Sequence, residues 1–246
     1  MMKAIVPITS AVFNIPLITR QIRNFRAAVH EVFFSLEDVF KKEGIDAGMF
    51  LNRDPETGFK KNLFRYPLIQ FQNIRHEGRF MAAVTGIGKG VAAVDLLLRY
   101  KPATIRFDGR KHEFTLLHET LKEHEIMRTE EPLEYRIHYW VPLNPENYRA
   151  WKEAPSLKER AELLDNCLHG HVMGFLKAMQ FDPGDAGTGC RLQEIDRMHR
   201  NVRMHGRDVV CITALFSCNV SLPGNIGLGQ APSHGFGKIR PVGRNP

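Results

Sequence analysis

Three groups of residues have the types and spacing to handle a polyanion. The first is the stretch from Asn219 to Lys238, where Gly224, Gly227, Gly229, Gly235 and Gly237 alternate with Ser221, Pro223, Pro232, Ser233 and His234. Glycine permits positive φ and close approach to a ligand, and inward-turned amides make a concavity for phosphate oxygens, to which Lys238 and His234 add charge. It is no Walker loop, because no Gly-Lys-Ser/Thr follows at the required offset. Its plainer alternative is a flexible surface loop. The second group is Arg20, Arg23 and Arg26 at the start of an apolar-periodic segment. Cations there oppose the helix dipole by about 0.3–1 kcal/mol each, a conflict that a bound anion relieves. His30 falls on the helix flank shared with Arg23 and Arg26, away from the apolar stripe. The third is Arg197, Arg200 and Arg203, with His199 and His205 between. This reads as a basic ribbon suited to an RNA groove, or as an edge strand guarded by charge.

The composition sets the frame for these groups. The 246 residues are 43% hydrophobic and 25% charged, ordinary values for a globular chain, and allow two domains each large enough for a core. The net charge of +7, with 11 further histidines, favours a nucleic acid partner. No apolar run approaches the roughly 18 residues of a membrane helix, and the start lacks a signal-peptide pattern, so the expected location is cytoplasmic, with no membrane partner. Cys167, Cys190, Cys211 and Cys218 show no Cys-x-x-Cys spacing and read as buried free thiols. His169 and His171 lie two apart on a helical segment and point about 200° from each other, so no metal site is expected.

The elements that must position these groups follow from periodicity. A first strand begins at 2–9 and ends near 14–16. A helix over 19–42 buries Ile22, Phe25, Val29, Val32, Phe33, Leu36, Val39 and Phe40 and stops at Gly44. Strands over 63–71 and 79–85 pair around Glu77-Gly78, Gly86-Ile-Gly-Lys-Gly90 leads into a helix over 91–100, and 103–107 is a fourth strand. That β-α-β-β-α-β order is the ferredoxin-like unit. After a charged connector with a hairpin over 108–133, a second round opens with a strand over 134–141, in which Tyr139 and Trp140 read as core. A helix over 156–179 follows, starting in the capping box Ser156-Leu-Lys-Glu159. A long hairpin of 191–204 with 207–220 precedes the glycine loop, 221–237. The expected fold is therefore α+β: tandem ferredoxin-like domains, RAMP- or RRM-like, over 1–107 and 134–246.

At this level the sequence resembles the CRISPR-associated endoribonucleases that process precursor CRISPR RNA, the Cas six family of the RAMP superfamily. The resemblance is carried by Phe64-Arg-Tyr-Pro-Leu-Ile-Gln-Phe71, Gly86-Ile-Gly-Lys-Gly90, Trp140-Val-Pro-Leu-Asn-Pro-Glu-Asn-Tyr148, Leu168-His-Gly-His-Val-Met-Gly-Phe-Leu-Lys177, and Asn219-Val-Ser-Leu-Pro-Gly with Ser233-His-Gly-Phe-Gly237. It implies a protein that binds repeat RNA in a basic cleft between its domains and cuts one phosphodiester without a metal or other cofactor. The 2′-OH attacks the adjacent phosphorus and leaves a 2′,3′-cyclic phosphate and a 5′-OH. The RNA-binding residues implied are Arg20, Arg23, Arg26, Lys89, Lys177, Arg197, Arg200, Arg203, Gly227, Gly229, Ser233, His234, Gly235, Gly237 and Lys238.

One departure bears on catalysis. Where this branch commonly carries His-Asn-His, the chain reads Leu51-Asn52-Arg53, and Phe64 stands where a helper tyrosine would. Leucine and phenylalanine cannot move a proton, and arginine is too basic to serve as a general base near pH 7. The resemblance then implies either a rebuilt site, with His30 as base or acid, Asn52 retained and Arg53 with Lys60 or Lys61 stabilising the phosphorane, or RNA binding without cleavage. The implied partners are CRISPR repeat RNA and, for a RAMP subunit of an effector complex, other Cas proteins; the chain itself would be a monomer or homodimer.

Overall fold

The computed structural model describes residues 3–45, 48–51, 65–184, 187–200, 202–204 and 206–243. Alternation of apolar side chains makes β1 (Lys3–Pro16) a strand that buries Ala11, Phe13 and Ile15, and it ends at Pro16, within the expected 14–16. A 3-10 turn over Thr19–Gln21 precedes α1 (Ile22–Ser35), whose Ile22, Phe25, Ala28, Val29 and Phe33 form a buried stripe at helical spacing. The helix expected over 19–42 is thus divided at Leu36, where α2 (Glu37–Lys42) begins. The Ser35 hydroxyl donates to the Val32 carbonyl at 2.6 Å, a local bond that competes with helix continuation, and Glu37 and Asp38 supply the acidic first turn of a new helix. A single turn, α3 (Gly48–Leu51), places Phe50 against Phe40, with ring centroids 5.4 Å apart.

β2 (Ile69–His76) and β3 (Arg79–Ile87) form a hairpin across Glu77 and Gly78, both at positive φ as a two-residue turn requires. α4 (Gly90–Tyr100) follows directly. The strand expected as the fourth of this sheet, now β4 (Thr104–Phe107), instead pairs only with β5 (Arg110–Glu113). Asp108 and Gly109, at φ 51° and 71°, fold the chain back at once, a hairpin signal inside the segment expected to be a connector. The fourth position goes to β6 (Leu116–Trp140), a 25-residue strand beside β1.

The chain forms two compact units. The N-terminal unit, Val6–His124 with Ser233–Gly235, has the strand order β2-β3-β1-β6, the arrangement of a ferredoxin-like sheet. Its core is aromatic: Phe13 stacks on Phe114 at 4.2 Å, and Phe25 meets Phe71 and Phe107 edge-on at 6.1 and 5.9 Å.

The C-terminal unit takes the remainder, Met1–Ile5, Glu125–Pro232 and Phe236–Pro246. α5 (Pro145–Glu153) is capped by the Asn144 side chain, which accepts from the Asn147 amide at 2.7 Å, with Pro145 in the first turn. α6 (Leu157–Ala178) is capped by Ser156, which accepts from the Glu159 amide at 3.2 Å. β7 (Cys190–His199), the short pair β8 (Arg203–Met204) and β9 (Arg207–Asp208), and β10 (Cys211–Val220) replace the single long hairpin expected there with two separate ladders. β11 (Lys238–Pro241) completes the order β11-β6-β10-β7, all antiparallel and again ferredoxin-like. Between β10 and β11, where that unit would carry its second helix, residues 221–237 hold only a 3-10 turn, Pro232–His234. Among the described residues no helix is long and apolar enough to cross a membrane.

Phe25 is fully buried among four aromatic rings, whereas Phe80 is 55% exposed. Phe25→Ala is expected to lower unfolding free energy by about 3–5 kcal/mol and Phe80→Ala by no more than about 0.5 kcal/mol, measured by denaturant titration.

Candidate active site

Burying the apolar stripe of α1 leaves its flank to polar groups: Arg23 is exposed, while Arg26 and His30, one turn apart, are half-buried. Nη1 of Arg26 lies 2.6 Å from Nε2 of His234 in the 3-10 turn. A guanidinium only donates, so Nε2 of His234 accepts and its proton resides on Nδ1. His30 sets its ring edge-on to Phe71 of β2, with centroids 5.6 Å apart. Beside Phe71, Gln70 donates to the Tyr66 hydroxyl at 2.8 Å and Gln72 to the Thr85 hydroxyl at 2.6 Å. Burial holds the Tyr66 phenol well above its ordinary pKa, so it stays protonated. Gly235 seats this arrangement: it sits at φ +82°, and a Cβ there would lie 2.6 Å from Ile22 Cδ1 and 3.3 Å from the Phe71 carbonyl oxygen. Thus α1, β2 and residues 233–235 of the glycine loop bring together Arg26, His30, Ser233, His234 and Gly235.

The rest of that loop folds onto its own backbone. The Leu228 amide donates to the Gly237 carbonyl at 2.9 Å, the Gly237 amide to the Tyr139 carbonyl at 3.1 Å, and the Ile239 amide to the Ile226 carbonyl at 2.9 Å. Gly237, at φ +70°, would drive any Cβ into the Leu228 carbonyl. Gly227 is buried against Pro232 and Phe236, and Gly229 packs on Trp140. These glycines therefore admit the protein's own chain, and the amides of Leu228 and Gly237 are engaged internally instead of forming the expected phosphate cradle.

The C-terminal unit gathers a second set of charges. Arg136, His138, Tyr139, Asp196, Arg197, His199 and Thr213 line a cavity of about 300 Å³. Lys238 and Arg240 of β11 pair in register with His138 and Arg136. Burial, then the neighbouring Arg240, lowers the Lys238 pKa to about 8. Arg200 is exposed past the end of β7, and Arg203 bonds Asp208 at 3.3 Å. The Trp140 reading as core holds, at 0% exposure, but Tyr139 is 42% exposed. Its φ of +52° and the register shift opposite it in β10 mark a bulge that turns two consecutive side chains, His138 and Tyr139, away from the core. Nothing in the sequence signals this bulge. Arg136 and His138, by contrast, alternate with buried Tyr135 and Ile137, so period two alone would have found them.

Lys89 precedes α4 and Lys177 ends α6, both exposed and outside these clusters, and Arg20 is exposed in the first 3-10 turn. His169 and His171 take separate partners: His169 meets Thr188 at 3.1 Å, while the Trp140 indole N–H donates to Nδ1 of His171 at 3.3 Å. The cysteines are free thiols, with Cys190 half-buried where a buried one was expected.

Residues 127–242 match the family model of the Cas6b C-terminal domain. This C-terminal part of the chain is therefore similar to the Cas6b domain. A crystal structure of Cas6b superposes with a TM-score of 0.73 at 21% identity, covering 98% of this chain and 100% of that one. Another, of the CRISPR RNA processing endoribonuclease Cas6b, gives a TM-score of 0.65 at 18% identity with the same coverage. At these identities the likeness establishes the shared fold. An uncharacterized protein of Methanocaldococcus jannaschii is 26% identical over 120 residues, 48% of this chain and 79% of its own length. The Leu51-Asn52-Arg53 stretch begins at the last residue of α3, and Asn52, Arg53 and Lys60 lie outside the described residues.

His171 provides a pH test of the Trp140 contact. Burial lowers its pKa from 6.5 to about 4. The unfolded chain therefore binds a proton between those values that the folded chain does not. Its stabilising contribution is complete above pH 6.5 and is lost as pH falls toward 4, by about 1.4 kcal/mol per unit at most. Urea midpoints measured across this window should fall more steeply for the natural chain than for His171→Gln.

Proposed function

We propose that this protein binds CRISPR repeat RNA and cuts precursor CRISPR RNA as a metal-independent endoribonuclease. The observation that carries the reading is the grouping of His30, Arg26 and His234 on α1 and the glycine-loop turn. It is supported by the fold shared with a protein named as a CRISPR RNA processing endoribonuclease. In the reaction the 2′-oxygen forms a bond to phosphorus as the bond from phosphorus to the 5′-oxygen breaks. One group takes the 2′-OH proton and another returns a proton to the leaving 5′-oxygen, giving a 2′,3′-cyclic phosphate and a 5′-OH end. His30 serves as the base or the acid. Arg26, together with Arg53 and Lys60, offsets the charge that builds on the phosphorane. His234, beside Arg26, contributes to the same phosphate-facing group.

The leucine at position 51 favours a second reading, in which the chain holds the RNA without cutting it, alone or with other Cas proteins. The two separate in one assay with end-labelled repeat RNA and a chelator. The cleaving reading predicts a discrete cyclic-phosphate product, abolished by 2′-deoxy substitution at the scissile nucleotide. Single-turnover rates for His30→Ala should fall by roughly 10²–10⁴-fold with repeat binding kept. Intact RNA retained in a salt-sensitive complex would establish the second reading, and unchanged cleavage in both His30→Ala and Arg53→Ala would reject the assigned site.

A further inference from the structure

The cavity on β6, β7 and β10 combines an aromatic surface with unbalanced charge. Tyr139 stacks on His199 with centroids 4.1 Å apart and planes 23° from parallel. Nε2 of His199 lies 2.8 Å from the Thr213 hydroxyl, and the same oxygen accepts from the Tyr139 amide at 3.3 Å, so one side chain fixes both rings. A bulky residue at positive φ is rare and strained, yet the fold retains it here, where it turns the phenol ring outward. Around the rings stand Arg136, Arg197, Lys238 and Arg240, against the single carboxylate of Asp196, which bonds Arg136 at 3.0 Å.

Two histidines register the resulting potential. Burial lowers the His138 pKa first, then Arg240, Arg136 and Lys238 lower it further, with Asp196 acting the other way. Burial and Arg197 lower that of His199. A field that discourages protonation of its own imidazoles favours an anion. The volume, about 300 Å³, is at the small end for ligand sites and suits one nucleotide. An acidic peptide would meet the charge but offer no flat group to the side of Tyr139 away from His199, whereas an unpaired base has a π-face for it.

We propose that this cavity is a single-strand RNA subsite, in which one unpaired nucleotide stacks its base on Tyr139 and lays its phosphate against Arg136 and Arg197. The proposal rests on reading the chain as RNA-binding but is separate from the His30 cluster. It is tested by fluorescence anisotropy of the full chain with a labelled six-nucleotide oligouridylate, alongside repeat RNA. Tyr139→Ala should weaken hexamer binding roughly five- to a hundredfold, and Tyr139→Phe should stay within about twofold, since the ring is kept. Should Tyr139→Ala fail to fold, Tyr139→Asn, which tolerates the left-handed backbone, replaces it with the same expectation. Arg197→Ala should weaken binding and flatten its log–log salt slope by about 0.7. Hexamer affinity unchanged by loss of the ring, with or without an effect of Arg197→Ala, overturns the subsite in favour of a charge-only or peptide-binding surface. Hexamer binding through Tyr139 by a chain indifferent to repeat RNA would leave the subsite standing and remove the repeat-RNA reading. Cleavage of repeat RNA with a hexamer affinity indifferent to Tyr139 would do the reverse.

Discussion

The hydrogen bond from the Gly237 amide to the Tyr139 carbonyl is the constraint on which both halves of the glycine loop depend. On one side it holds the bulge that turns Tyr139 out of the sheet. On the other it sets the register of β11, whose Lys238 follows at once opposite His138. The bond forms only because residue 237 takes a left-handed backbone and lets the Leu228 carbonyl come where a Cβ would stand. Within 221–237, residues Ser233–Gly235 belong to the N-terminal unit.

The same logic of close approach governs α1. Its apolar stripe is committed to a phenylalanine core, so the polar flank is determined by subtraction, and Arg26 and His30 fall there together. Basic residues in the early turns of a helix work against its dipole, and one of the contacts made by Arg26 is to the His234 imidazole.

Charge is distributed differently in the C-terminal unit. Arg136, Lys238 and Arg240 lie side by side on β6 and β11, with Asp196 bonded to the first. A folded chain with no polyanionic ligand would gain by spreading these cations apart; the pKa values of His138 and Lys238 are lowered first by burial and then by the neighbouring cations. His171 is neutral for another reason: it is buried beneath the sheet as acceptor for the Trp140 indole, a structural use of a histidine that lies in a family-like motif.

Element types were legible because they follow from local periodicity. The α1 stripe, the β2–β3 hairpin at Glu77-Gly78, the Ser156 cap and the end of β6 from Glu134 all read directly from residue order, whereas the earlier part of β6 fell in the segment expected to be a connector. So did Arg26, His30 and His234 as polar groups, though not their meeting. Other features turned on partners distant in sequence. β4 closes on β5 instead of joining the main sheet, because the Asp108-Gly109 turn returns the chain before β6 arrives. Tyr139 leaves the core because β10 shifts register opposite it. Gly229 and Gly237 serve the loop's own packing because Trp140 and the Leu228 backbone stand where their side chains would go. By itself the sequence determined the fold class, the helix faces and the excess of cations, since each depends on neighbours within a few residues. Only the tertiary structure decided which cations share a field and which aromatic ring is left uncovered, because strand register and backbone approach are set by contacts a hundred residues apart.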